Sequence, residues 1–349
     1  PYARRRDDAV AANLDLPLSR LHGSVVHPPG TILTAEDRPY RVFTPFWKRW
    51  IATEWSTEPE PGVARVTDDV GDGVPDTPTS LMGGGEDEAG ARLIDFLGRV
   101  DSYEAERNRP DLDTTSRLSA DLKYGTLSPR RVIVETGEDT AGRTALVRQI
   151  CWRDFYAHVL HYFPHTVARA LRSEYDAIEW RNDDGAFEAW CSGRTGYPIV
   201  DAGMRQLIRE GWMHNRVRMI AASFLVKDLL IDWRKGERHF RRYLVDGDVA
   251  QNVGNWQWTA GTGAEAAPYF RIFNPVLQSA KFDPEGGYIR RFLPELTGLA
   301  APAIHAPWEQ APLVLAAAGV VLGETYPAPI IDHAEARLET LDAYGKARN

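Results

Sequence analysis

Residues able to do chemistry crowd into three stretches of the second half of the chain. These are Trp212-Met-His-Asn-Arg-Val-Arg-Met219, the run from Asp246-Gly-Asp248 through Asn252 to Trp256-Gln-Trp258, and Ala267-Pro-Tyr-Phe-Arg-Ile-Phe-Asn-Pro275. No repeat or amphipathic period accounts for so many Trp, Asn, Asp and Arg side chains together. A core helix would not select them, because buried polar groups without partners are costly. A solvated loop has no use for the tryptophans. The set suits a ligand that is flat, polar and charged.

Two further clusters lie upstream. Thr114-Thr-Ser-Arg-Leu-Ser119 precedes Gly125-Thr-Leu-Ser-Pro129. Hydroxyls and an arginine near a helix start suit a phosphate. Helix capping, with Ser128 before Pro129, fits as well, and both readings stay open. Cys151-Trp-Arg-Asp-Phe-Tyr156 sets Trp152 and Tyr156 on one helical face beside Arg153. That arrangement suits a stacked ring, although such aromatics more often pack a core. Asp246 and Asp248 lack the neighbours a metal site needs, and His161 and His165 carry no zinc motif. Neither a Gly-x-Ser-x-Gly elbow nor a nucleophilic cysteine setting is present, so hydrolysis has no support.

The elements that must position these residues are mostly helical. Leu93, Phe96, Leu97 and Val100 form a stripe at i, i+3, i+4 and i+7, and similar stripes run over 143–163, 201–211, 216–233 and 310–322. Arg4 to Asn13 reads as an amphipathic helix, Ser24-Val-Val-His27 as a strand, and Trp47 and Trp50 as core. Residues 56–90, rich in Pro, Gly, Asp and Thr and including Gly83-Gly-Gly85, read as a linker.

Composition sets the limits. The 349 residues are 43% hydrophobic and 26% charged, enough for about two domains. Two cysteines cannot build a disulfide framework, which points to a reducing cytoplasm. No apolar run is long enough to span a membrane. Net charge is −8, yet residues 201–300 hold fourteen Lys/Arg against eleven Asp/Glu, with a tight group over 234–242. Such a group is a solvated helix surface or a local phosphate-binding face.

In order along the chain, Thr115-Ser-Arg-Leu-Ser119, Trp152-Arg-Asp-Phe-Tyr156, Gly196-Tyr-Pro-Ile-Val-Asp201, Trp212-Met-His-Asn-Arg216, Asp246-Gly-Asp248, Asn255-Trp-Gln-Trp258 and Ala267-to-Pro275 resemble the photolyase/cryptochrome family. Within it they are most similar to class I cyclobutane pyrimidine dimer photolyases. The resemblance covers essentially the whole chain and is strongest from about 90 to 296.

It implies an incomplete α/β remnant of a Rossmann-like antenna domain over 1–55, an interdomain linker over 56–90, and a large all-α FAD-binding catalytic domain over 91–349. Upstream sequence is expected, since the chain opens on Pro1 in what reads as mid-domain. The family's FAD contacts fall on Tyr103, Thr115, Ser116, Arg117, Leu118, Ser119, Arg153, Asn215, Arg218, Asp246, Gly247, Asp248 and Asn252, the last facing the flavin ring. Trp180, Trp233 and Trp256 match its electron-transfer chain. Trp152 and Trp258 match the walls of its lesion pocket. Arg107, Gln149, Arg153, Tyr156, Asn215, Arg216, Met219 and Arg271 fall at its DNA-facing positions.

The implied activity is light-driven repair of cyclobutane pyrimidine dimers by electron transfer from reduced FAD. The implied partner is damaged DNA, met by a monomer through base flipping. A second antenna chromophore, deazaflavin or folate, is left open. One position departs from the pattern: where dimer photolyases usually carry Glu, this chain has Gln149, which keeps an acceptor but supplies neither charge nor carboxyl proton. Gln149 favours the rival reading, a cryptochrome-like photoreceptor with weak or no repair. Asn252, Arg216, Trp258 and the chain's end at Asn349 without a long tail lean toward repair. A third reading, a helical DNA-binding protein without cofactor, would lack flavin colour.

Overall fold

The computed structural model describes residues 2–14, 22–55, 83–264, 268 and 271–348. Its helices are α1 (Tyr2–Ala12), α2 (Phe43–Ile51), α3 (Glu86–Leu97), α4 (Tyr103–Glu106), α5 (Ser119–Tyr124), α6 (Pro129–Thr136) and α7 (Ala141–Tyr162). After these come α8 (Asp184–Cys191), α9 (Pro198–Glu210), α10 (Asn215–Ser223), α11 (Trp233–Tyr243) and α12 (Val249–Ala260). The last five are α13 (Pro275–Phe282), α14 (Gly287–Phe292), α15 (Ala301–Ile304), α16 (Pro312–Ala317) and α17 (His333–Arg348). No described helix is long and apolar enough to cross a membrane.

Helix ends follow local chemistry. Thr140 caps α7, Asp232 caps α11 and Asp248 caps α12, each side chain accepting a backbone N–H of the first turn. Gly211 and Gly261 close α9 and α12 in the left-handed conformation. Ser128 stands at the N-cap of α6 with Pro129 next, but its hydroxyl makes no cap bond. The stripe over 216–233 divides into α10, a π-helical turn at Phe224–Asp228, and α11. Only Pro312–Ala317 of the stripe over 310–322 is helical.

One apolar core gathers α8 to α12 and α14, and another gathers α2, α3 and α7. Helix α12 packs between α11 and α7 where two glycines remove side chains. A Cβ on Gly236 of α11 would lie 2.2 Å from the Trp256 ring, and one on Gly254 would lie 2.2 Å from the Tyr156 ring. No ordinary side chain fits either position.

No strand of the expected α/β remnant over 1–55 appears among the described residues. They hold α1, α2 and a single bridge between Leu33 and Pro39. Ser24–His27 is not a strand. The backbone N–H groups of Val26 and His27 donate instead to the buried carboxylate of Asp154 on α7, each at 3.0 Å to Oδ2. Trp50 Nε1 donates to the same oxygen at 2.9 Å. With their donors satisfied this way, these residues need no neighbouring strand. Burial pushes the Asp154 carboxyl up to about 6 despite those donors. Of the expected linker, residues 56–82 lie outside the described residues, and its end at 90 falls inside α3.

Candidate cofactor and DNA-lesion site

Two connected chambers open beside α12. The outer, a cavity of about 480 Å³, collects Tyr103, Arg107, Thr115 to Ser119, Gln149, Trp152, Arg153, Tyr156, Asn215, Arg216, Arg218, Met219, Asp246 and Trp258. The inner, about 80 Å³, adds Gly247, Asp248, Asn252 and Trp256. Helical period explains the division. Asn252, Trp256 and Thr259 share one stripe of α12 and line the inner chamber, while Trp258 faces the outer one. Tryptophans separated only by Gln257 therefore face different spaces.

The junction of the chambers is a charged triangle. Arg218 donates to Asp246 from Nη1 at 3.1 Å and from Nη2 at 2.8 Å, a bidentate pair. Ser119 Oγ donates to Asp246 Oδ2 at 2.6 Å, which ties the start of α5 to the loop ahead of α12. Burial opposes charge on Asp246, but Arg218 and Ser119 outweigh it and hold the carboxyl below its usual range. Asp248 Oδ1 accepts Gln251 N at 3.0 Å as the α12 cap. Arg153 is fixed by Nη2 donating to Leu122 O at 2.8 Å. His214 accepts Arg216 N at 3.1 Å through Nδ1. Burial, helped by Arg218 and Arg216, pushes its imidazole down to about 4, so it is neutral.

Around this triangle, buried polar atoms lack a partner among the described residues: Thr114 Oγ1, Thr115 Oγ1, Arg107 Nε, Arg153 Nε and His214 Nε2. Buried donors are seldom left unpaired. Hydroxyls and guanidinium N–H groups suit phosphate, ribose and ring oxygens, so the donor set fits a dinucleotide with a flat ring.

The outer wall is built from faces and charge. Trp152 stacks on Phe43 with ring centroids 3.7 Å apart and planes 5° from parallel, so the N-terminal segment braces it. Arg216 is held by Asn108 Oδ1 at 2.7 Å and lies over Phe282 at 4.3 Å. Burial, then Arg107 and Arg271, push Arg216 down to about 10, which marks a cluster of like charge. Arg271 is exposed and outside the cavity lining. Trp180 and Trp233 also lie outside it: Trp256 and Trp233 are buried in the α8–α12 core, and the half-exposed Trp180 packs against that core.

The basic group over 234–242 is paired with carboxylates at its N-terminal end. Arg234 pairs with Asp176 and Asp232, and Lys235 with Asp184. Sequence reasoning missed Phe43, Asn108 and Phe282, which brace named residues from far along the chain. It also missed Glu237, whose signal was available: Trp233, Gly236, Glu237 and Phe240 recur at a helical core spacing and are all buried.

Comparisons with known proteins agree with this geometry. A family model described as the FAD binding domain of DNA photolyase matches residues 146–346, and one described as DNA photolyase matches residues 1–63. A deoxyribodipyrimidine photo-lyase of Agrobacterium fabrum is 44% identical, covering 100% of this chain and 78% of its own length. The crystal structure of a bacterial class III photolyase from Agrobacterium tumefaciens superposes with a TM-score of 0.90 at 42% identity, over 100% of this chain and 77% of that one. An archaeal photolyase from Sulfolobus tokodaii, solved with two FAD molecules, gives 0.82 at 34% identity, over 99% and 76%.

Proposed function

The chain belongs to the DNA photolyase family, and from that premise we propose that it is an FAD enzyme splitting cyclobutane pyrimidine dimers in DNA under light. The observation that carries this reading is one continuous site that joins unpartnered buried donors at Arg107, Thr115 and Arg153 to the Asp246–Arg218 pair on one side and to the aromatic faces of Trp152 and Trp258 on the other. FAD, when bound, supplies light-driven one-electron chemistry.

The protein's own groups divide the remaining work. Thr115, Ser116, Arg117 and Arg153, with Tyr103 and Asn215 beside them, hold the phosphates and ribose. Leu118 and Gly247 shape the walls. Asp246, locked by Arg218 and Ser119, is a permanently charged acceptor for ring N–H or ribose O–H groups. Asp248, already committed on one oxygen to the helix cap, keeps the other for the ligand. Asn252 faces the ring from α12. Trp180, Trp233 and Trp256 run from half-exposed to fully buried, a path along which an electron can move inward.

At the mouth, Trp152 and Trp258 provide flat walls for an extruded base pair, with Tyr156 and Met219 between. Arg107, Arg216 and Arg271 form a positive cluster for flanking phosphates. Gln149 lines the outer chamber two α7 positions before Cys151 and offers the lesion a carbonyl acceptor and two N–H donors. The enzyme works as a monomer in the cytoplasm. Two unpaired cysteines, Cys151 and Cys191, are consistent with a reducing compartment. A second chromophore, deazaflavin or folate, would serve as antenna.

Gln149 supports one alternative, a cryptochrome-like photoreceptor that keeps FAD but repairs little. Illuminating the reduced protein with an oligonucleotide carrying a thymine dimer separates the two. Loss of the dimer is expected; an intact dimer beside bound, reduced FAD would overturn repair and leave the photoreceptor.

A further inference from the structure

Resting on the DNA reading above, we propose that Asn108 is a positioning residue that aims Arg216 at the DNA backbone while leaving its positive charge uncancelled. Asn108 Oδ1 accepts from Arg216 Nη2 at 2.7 Å and from Nε at 3.2 Å. One neutral oxygen thus holds two guanidinium N–H groups. Turning the amide over would set its N–H donors against the guanidinium, so the orientation follows from chemistry. Asn108 and Arg216 line the outer chamber together with Arg107.

The second support is also uncharged. The Arg216 guanidinium lies 4.3 Å from the centre of the Phe282 ring, at the end of α13. Three segments distant in sequence, after α4, at the start of α10 and at the end of α13, therefore fix one side chain.

Neighbouring arginines are treated differently. Arg107 lies 3.7 Å from Glu104, Arg109 pairs with Asp111, and Arg117 pairs with Asp113. Arg218, two residues after Arg216, takes both oxygens of Asp246. Carboxylates are thus plentiful on either side of Asn108, yet the group that meets Arg216 is an amide. Burial, then the like charges of Arg107 and Arg271, push Arg216 down to about 10, and no carboxylate opposes them.

Stability alone favours the opposite choice, since a carboxylate would compensate a half-buried cation. The amide serves an anion that arrives from outside. A phosphate then meets the full charge on a side chain already ordered, with no internal carboxylate to displace.

The test compares the full chain with Asn108→Asp, Asn108→Ala, Arg216→Ala and the double alanine variant. Binding of a dimer-containing oligonucleotide and of the same undamaged duplex is followed by fluorescence anisotropy across a salt series. Asn108→Asp should weaken both about tenfold and reduce the slope of log affinity against log salt by about 0.9, one phosphate's share. Its melting temperature should hold or rise. Asn108→Ala should weaken binding less than Arg216→Ala does, and should add nothing once Arg216 is gone. That alanine cycle decides the matter if Asn108→Asp does not fold. Wild-type affinity and slope in Asn108→Asp, or an Asn108→Ala effect that persists without Arg216, would overturn this inference alone. Weaker binding with an unchanged slope and a lower melting temperature would mark a merely structural role and overturn it equally. Wild-type protein that binds neither oligonucleotide would defeat the DNA reading itself, and this inference with it.

Discussion

The two ends of the site are built on opposite plans. At the inner end the polar groups are already tied to one another: Asp246 to Ser119 and Arg218, Asn252 to Glu237, Asp248 to its own helix. At the outer end recognition rests on flat faces and positive charge. Trp152 is held by stacking, Arg216 by one amide, and Gln149 has no hydrogen-bond partner among the described residues. A cofactor that stays bound rewards acceptors and donors fixed in advance. A DNA strand that comes and goes in any sequence is better met by stacking and charge, which every base and phosphate can use.

Asp246→Ala should break the inner plan most severely. It leaves the largely buried Arg218 without its counterion, an effect on the order of 3–5 kcal/mol. Thermal unfolding and the flavin-to-protein absorbance ratio should both fall; a variant that retains full flavin content would show that the triangle is not the anchor.

Acid should act next, again through the inner end. The folded pKa of His214 is about 4, below the value near 6.5 of an exposed imidazole. As pH falls, the unfolded chain takes the proton first. Stability from this group is therefore complete above pH 6.5 and is lost as pH falls toward 4, amounting to about 3 kcal/mol. His214→Asn keeps a short cap acceptor and should flatten that part of the unfolding-versus-pH curve. An identical slope in the variant would remove His214 from the account.

At the outer end the effects should move binding rather than folding. Trp258→Ala should weaken binding of a dimer-containing oligonucleotide by about 1–3 kcal/mol, with flavin content unchanged, as read by fluorescence anisotropy. Loss of flavin instead would erase the distinction between the two ends. Gln149→Glu should be the mildest change, shifting stability by less than about 0.5 kcal/mol, while repair under illumination becomes faster. An unchanged or slower rate would mean that Gln149 limits nothing.

Much of the site was legible in the residue order. Motifs at Thr115–Ser119, Trp152–Tyr156, Asn215–Met219 and Asp246–Trp258 carry it in short segments, and all of these line the two chambers. The α7 and α9 stripes were equally plain, because an amphipathic period is a local property. The expected strand at Ser24–His27 failed for the complementary reason. Its donors are satisfied by Asp154, a carboxylate 128 positions from Val26 that no local pattern announces.

What the sequence by itself determined is the inventory: the long amphipathic stripes, as in α7 and α9, and the side chains proposed to hold a flavin or a lesion. Only the tertiary structure decided the pairing. Ser119 with Asp246, Phe43 under Trp152, and Glu237 behind Asn252 join residues separated by 127, 109 and 15 positions. Pairing of this kind follows from how whole helices pack, here from two glycines that let α12 lie against its neighbours. The run over 234–242 thus turns its one carboxylate, Glu237, inward to accept the Asn252 amide.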